Sequence, residues 1–167
     1  SDNLIKFLKA NLNIWGIAHI PINLELICSV WKDQAAYLQA TKESLTITHL
    51  YLQIVLWLLR RFLKNQGMEE KLLRSEERVL DRCERLVETL EHLAFQMMKK
   101  NQLILAQDEL IEATKAKPSR REDLLGIHIL APLAGDEKHG NTGCYFIHLT
   151  FQEFFAAAFL GNLYLNN

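Results

Sequence analysis

The sequence predicts a mainly α-helical protein: a helical-bundle subdomain followed by a winged-helix subdomain with a small two-stranded antiparallel hairpin. Three observations predict it. Only seven glycines and three prolines punctuate 167 residues, so long segments keep the helical apolar period uninterrupted. Hydrophobic residues make up 49% of the chain, ample for a buried core at this length. After residue 100 the helical pattern gives way to two short runs rich in β-branched and aromatic residues, separated by a turn, which is the pattern of a hairpin.

Residues 2–11 read as a short amphipathic helix and residues 22–32 as a second, with Pro21 near its N-terminus, where a missing amide costs least. Thr46 or Thr48 is placed to cap a third helix that runs to about Lys64 and ends at Gly67. Its apolar run, residues 50–63, contains Gln53 and is closed by Arg60 and Arg61. That is shorter than the roughly 20 apolar residues of a membrane span, so it reads as the central helix of a bundle. In the fourth helix, residues 76–100, Val79, Leu80, Cys83, Leu86, Val87, Leu90, Leu93, Ala94, Met97 and Met98 step by three and four and define one long buried face. The polar stretch between the third and fourth helices marks the expected boundary. This assigns residues 1–66 to the helical subdomain, 67–75 to a linker and 76–167 to the winged-helix subdomain.

Beyond residue 100, residues 108–115 suit a short helix and 117–121 a basic loop. "GIHILAPLA" reads as a strand ending near Pro132, 135–143 as a turn, and 144–149 as the returning strand. Thr150 to Glu153 has the form of a capping box, with Leu149 and Phe154 at the positions of a hydrophobic staple. Phe151, Phe154, Phe155, Ala158, Phe159 and Leu163 then define a buried helical face.

Charge is nearly balanced, with 19 Lys and Arg against 20 Asp and Glu, so no broad basic field invites nucleic acid or an anionic membrane. Cysteines at 28, 83 and 144 are odd in number and lack CxxC spacing, which predicts free core thiols in a reducing, cytoplasmic setting. The N-terminal stretch lacks the order of a signal peptide. The chain, beginning at Ser1, is expected to be a piece of a longer one.

The turn from Gly135 to Thr142 nearly satisfies GxxxxGK[ST], but Asn141 stands at the lysine position and a strand follows where a phosphate loop needs a helix. A solvated turn is the better reading. His128, His139 and His148 lie on or near the hairpin without metal-ligand spacing, so no metal site is assigned. "KPSRRED" is a basic cluster beside a winged helix, the minimum for the alternative function, a winged-helix nucleic-acid-binding module. The helix that would enter a groove, however, carries Asp108, Glu109 and Glu112 against Lys115 and Lys117, poor chemistry beside phosphates. No catalytic set of side chains is visible, and the chain by itself is not expected to be an enzyme. His148 falls within a residue or two of a helix N-terminus, where free amides and the macrodipole favour an anion. A hairpin histidine bonded to a backbone carbonyl is the alternative, and both readings stay open.

The stretch "FIHLTFQEFFAA" (residues 146–157) resembles the end of the winged-helix subdomain of NACHT NTPases, the NOD-like-receptor branch of the signal-transducing (STAND) ATPases. In the same order, "AHIPINLELICSVW" (18–31) resembles the proline-containing segment of that family's first helical subdomain, and "TITHLYLQIVLWLLRRFL" (46–63) the helix that follows it. The resemblance spans essentially the whole chain. It implies a regulatory, nucleotide-sensing fragment downstream of an NTPase core, in which Pro21 packs near adenine and His148 contacts a phosphate of ADP in the closed state. It further implies ADP or ATP as ligand of the full-length protein, with none bound tightly by this fragment. The partners implied are the upstream NTPase core of the same chain and, in the active state, other copies of itself. Neither the phosphate-binding lysine loop nor the metal-binding carboxylates of the family lie in these residues.

Overall fold

The computed structural model describes residues 2–40, 46–116, 120–133 and 143–165. The molecule is mainly helical, with nine helices and one two-stranded antiparallel sheet among the described residues. It divides into two compact units, Ser1–Trp57 and Leu58–Asn167.

In the first unit, α1 (Asp2–Ala10) and α2 (Leu12–Ile17) are separated at Asn11, whose side-chain amide donates to the Phe7 carbonyl at 2.9 Å. The sequence pattern predicts a single helix over residues 2–11. The second forms because the Asn11 carbonyl accepts from the Trp15 amide at 2.8 Å, restarting the helical ladder. α3 (Pro21–Ala40) is longer than the expected 22–32 and opens on Pro21 itself, at the position where its lost amide has no intrahelical partner. Phe7 packs on Trp31 with ring centroids 4.8 Å apart, and the Trp57 indole donates to the Asp33 carboxylate at 2.6 Å. Leu8, Ile14, Ile27, Val30, Leu50 and Ile54 are buried.

α4 (Ile47–Asn65) forms as expected. The Thr46 hydroxyl accepts from the His49 amide at 3.1 Å, an N-cap. At the other end Gly67 adopts φ +83 while the Met68 amide bonds the Leu63 carbonyl at 3.0 Å, a left-handed C-terminal cap. The helix is buried on most of its circumference, Gln53 included, as the bundle-centre reading requires.

The second unit holds the rest of α4 and α5 (Glu70–Leu73), α6 (Glu76–Lys99), α7 (Gln107–Ala116), α8 (Arg121–Gly126), β1 (Leu130–Pro132), β2 (Cys144–Phe146) and α9 (Leu149–Leu165). The compact units therefore part at Trp57, within α4, whereas the sequence placed the boundary at 67–75. Residues 67–75 belong to the second unit. There Arg60 Nε donates to the Leu73 carbonyl at 3.0 Å and the Arg60 guanidinium lies 3.6 Å from Glu76. A polar composition did not make this stretch a loose tether: Arg60 holds its C-terminal end, and its start is held by the Met68 amide on the Leu63 carbonyl and by the Lys64–Glu70 ion pair at 3.0 Å.

α6 is capped by Ser75, whose hydroxyl accepts from the Arg78 amide at 3.3 Å. It buries Val79, Cys83, Leu90, Leu93, Ala94 and Met97, while Leu80 and Met98, at the margins of the expected face, are exposed. α6 and α9 form the most extensive helix pair of the unit. Phe95 stacks on Phe159 at 4.8 Å, and Asn162 Nδ2 donates to the Glu91 carboxylate at 3.0 Å.

The expected strand over "GIHILAPLA" shortens to Leu130–Pro132, because Gly126 still belongs to α8 and His128 takes φ +67 to turn the chain. β1 and β2 pair antiparallel with Leu130 opposite Phe146 and Pro132 opposite Cys144. Leu105 adds an isolated antiparallel bridge on the other side of Cys144. Residues 117–119 of the basic loop, His139, and the expected turn from Gly135 to Thr142 lie outside the described residues.

Candidate functional site

The joint between β2 and α9 is positioned from both sides. Upstream, β2 is held by β1 and by Leu105, and the Ile147 amide donates to the Ile129 carbonyl at 3.0 Å. Downstream, Phe151 and Phe155 are fully buried, and the ring of Phe155 lies 6.2 Å from that of Phe146. Strand and helix thus share one apolar anchor, and His148 sits in the short link between them.

Its side chain does what a serine or aspartate commonly does at this position. His148 Nδ1 accepts from the backbone amide of Thr150 at 3.2 Å and lies 3.0 Å from the Thr150 hydroxyl, while the His148 carbonyl accepts from the Phe151 amide at 3.0 Å. The helix begins at Leu149, one residue before the expected cap. His148, not Thr150, is therefore the N-cap, and the Thr150 to Glu153 box is replaced by a bond running from Thr150 back to the histidine. The staple fails with it: Leu149 is 45% exposed. Of the expected buried face, Phe151 and Phe155 are enclosed, Phe154, Ala158 and Phe159 are half-buried and Leu163 is exposed.

The capping bond determines the ring's chemistry. A backbone amide can only donate, so Nδ1 must present its lone pair. In the neutral imidazole the proton then resides on Nε2, which becomes the ring's donor; among the described residues Nε2 has no hydrogen-bond partner. The first turn of α9 contains no acidic residue, so no carboxylate there competes with an anion for that N–H or for the positive end of the helix.

Pro21 lies in the first unit as the first residue of α3, with its ring exposed. Below it, Asn23 is fully buried, with its amide directed at the Ile17 carbonyl at 3.4 Å and its Oδ1 without a partner among the described residues. Close by in sequence, Trp15 meets His19 edge to face at 5.4 Å.

The remaining candidates separate. His128 is exposed on the turn before β1, and among the described residues no group of three or more His, Cys, Asp and Glu side chains is placed to hold a metal ion. Cys83 and Cys144 are buried core thiols as expected, their acidities pushed to about 11 by burial, but Cys28 is exposed on α3. α7, the helix a nucleic-acid reading would set in a groove, exposes Asp108 and Glu112. Its Glu109 is held below the usual carboxylate range, chiefly by hydrogen bonds from Lys100 and Gln102, so its charge is spent on Lys100 and a phosphate backbone would meet the carboxylates of Asp108 and Glu112. No described helix is long and apolar enough to cross a membrane. No protein-family model and no curated protein matches this sequence.

Proposed function

We propose that this chain is the regulatory, nucleotide-sensing part of a NACHT-type signalling NTPase of the cytoplasm, acting together with an NTPase core supplied upstream in the same protein. In this reading His148 donates its Nε2 proton to a phosphate of ADP held by that core and so favours the closed, resting arrangement. Exchange for ATP removes the preference and frees the protein to assemble with other copies of itself. Pro21, separately, is proposed to pack against the adenine in the core. The chain alone performs no hydrolysis.

The observation that carries the proposal is the capping bond from Thr150 to His148 Nδ1. It directs the proton to Nε2 and puts that donor at the positive end of α9, a preorganised combination for an anion. A bond from a neutral donor to a charged phosphate is worth roughly 1.5–3 kcal/mol, a ten- to hundredfold shift between closed and open states. The acidic surface of α7 argues against the nucleic-acid alternative.

The test uses the protein with its core attached and compares ADP dissociation rates for three side chains at position 148. His148→Asn keeps an acceptor at the capping position but loses the Nε2 donor. It should release ADP ten- to hundredfold faster, by the same magnitude, with little loss of fold stability. His148→Gln can place an amide N–H near the Nε2 position and should retain much of the affinity at some cost to the cap. If His148→Asn holds ADP as tightly as the parent, His148 is only a cap and the sensing role is lost.

A further inference from the structure

At the end of α6 the chain turns back on itself through Asn101, at φ +51, with the Gln102 amide bonded to the Met97 carbonyl at 2.8 Å. The return stroke sets Leu105 against β2 and starts α7 beside the last turns of α6. Between them a cavity of about 220 Å³ opens at the surface. Leu93, Met97 and Leu105 form its apolar part, and Lys100, Glu109 and Glu112 stand around it.

The charges around it are unequal in what they have left to offer. Lys100 Nζ is 2.6 Å from Glu109 Oε1, and Glu109 Oε2 accepts from Gln102 Nε2 at 2.8 Å and from the Ala106 amide at 3.2 Å. Lys100 and Glu109 neutralise each other. Glu112 is exposed and has no ion-pair partner among the described residues, so the cavity carries an apolar interior and one unspent negative charge. Its volume falls below the roughly 300 Å³ at which small-molecule pockets begin, and is the size of a single long side chain. The loop that walls it also exposes Leu103 at 63% and Ile104 at 50%, apolar surface of the kind that flanks an anchor residue in a protein contact.

From this we infer that the cavity is a docking site for a partner protein and takes one arginine side chain from it. The methylene stem lies on Met97 and Leu105, the guanidinium bonds the Glu112 carboxylate, and apolar neighbours of the arginine cover Leu103 and Ile104. Arginine fits better than lysine because its planar fork meets a carboxylate with two parallel bonds and gives up its water more readily. The inference is independent of the nucleotide reading and uses none of its residues.

The probe is an acetylated, amidated Leu-Arg-Leu tripeptide, titrated into the 167-residue chain while backbone amide signals are followed by NMR. Saturable shifts should centre on Leu93, Met97, Leu105 and Ala113, with a dissociation constant of about 1 mM or tighter. Replacing the peptide's arginine by citrulline, equal in shape but uncharged, should weaken binding at least tenfold. Glu112→Gln should abolish that discrimination while leaving the protein's melting temperature unchanged, since Glu112 is exposed. Shifts that map elsewhere, or equal binding of the arginine and citrulline peptides, would overturn the proposal. So would tighter binding of a Leu-Glu-Leu peptide, or an arginine preference that survives Glu112→Gln.

Discussion

The backbone carbonyl of Leu105 lies 2.5 Å from the point where a Cβ on Gly143 would stand. Two chain segments far apart in sequence are thus in contact through bare backbone, and this closeness lets Leu105 exchange both of its hydrogen bonds with Cys144, at 2.8 and 3.0 Å. Gly143→Ala forces a carbonyl to move rather than a flexible side chain. It should cost about 1–3 kcal/mol, the range for overpacking, and lower the melting temperature by roughly 2–4 °C per kcal/mol at this chain length. An unchanged thermal midpoint would show that the loop from Asn101 to Ala106 can retreat freely.

Stability measurements on His148 variants separate the cap from everything else. Removing the acceptor in His148→Ala should destabilise the protein by about 1 kcal/mol, the usual cost of a lost N-cap, whereas His148→Asn should recover most of it. Denaturant midpoints of the two variants decide the matter. Equal midpoints for Ala and Asn would mean that the Thr150 amide does not depend on residue 148.

Helix α9 offers a comparison inside one turn. Phe151 is fully buried and Phe154 half-buried, so Phe151→Ala should cost about 3–5 kcal/mol and Phe154→Ala distinctly less. Chemical denaturation with an unchanged m-value in both variants would allow the two free energies to be compared directly.

His128 is exposed and holds φ +67, a left-handed conformation that His tolerates better than most side chains and β-branched residues tolerate poorly. With no burial at stake, His128→Val should destabilise by about 1–2 kcal/mol through backbone strain alone, and His128→Gly should be tolerated. Thermal melts of the pair, read against the parent, check the ordering.

The thiols make an alkaline prediction. Burial raises Cys83 and Cys144 to about 11 from a starting value of 9.0, so above pH 9 the unfolded chain releases protons that the folded one keeps. Stability should be fully present below about pH 9 and fall from there towards pH 11, by at most about 1.4 kcal/mol per pH unit for each thiol. In Cys83→Ala the fall should be shallower. A thiol reagent at neutral pH should modify the exposed Cys28 rapidly and the other two only on unfolding.

The long helices were legible because their apolar residues recur at helical spacing and their ends carry recognisable caps, Ser75 on α6 and Gly67 after α4. The short ones were not. α2 has one buried residue, Ile14, and too little length to establish a period. α8 runs into a β-branched stretch that reads as strand until His128 turns it. His148 was legible as a residue at a helix start, but its work as the cap was hidden, since histidine is not among the side chains that usually accept there. The cavity beside α6 follows from the left-handed turn at Asn101 and has no counterpart in any local pattern.

The side chains of Gln102 and Glu109 have a second consequence. Leu105 turns its own polar groups toward β2, which leaves the Ile104 carbonyl and the Ala106 amide facing outward along the rim of the sheet. Gln102 Nε2 covers the first at 2.6 Å and Glu109 Oε2 the second at 3.2 Å. A strand from another molecule approaching that rim would find those two hydrogen-bonding positions already taken. Exposed sheet edges are where proteins template misassembly; here two polar side chains act as a built-in terminator, so a sheet this small need not become a seed for aggregation on that side.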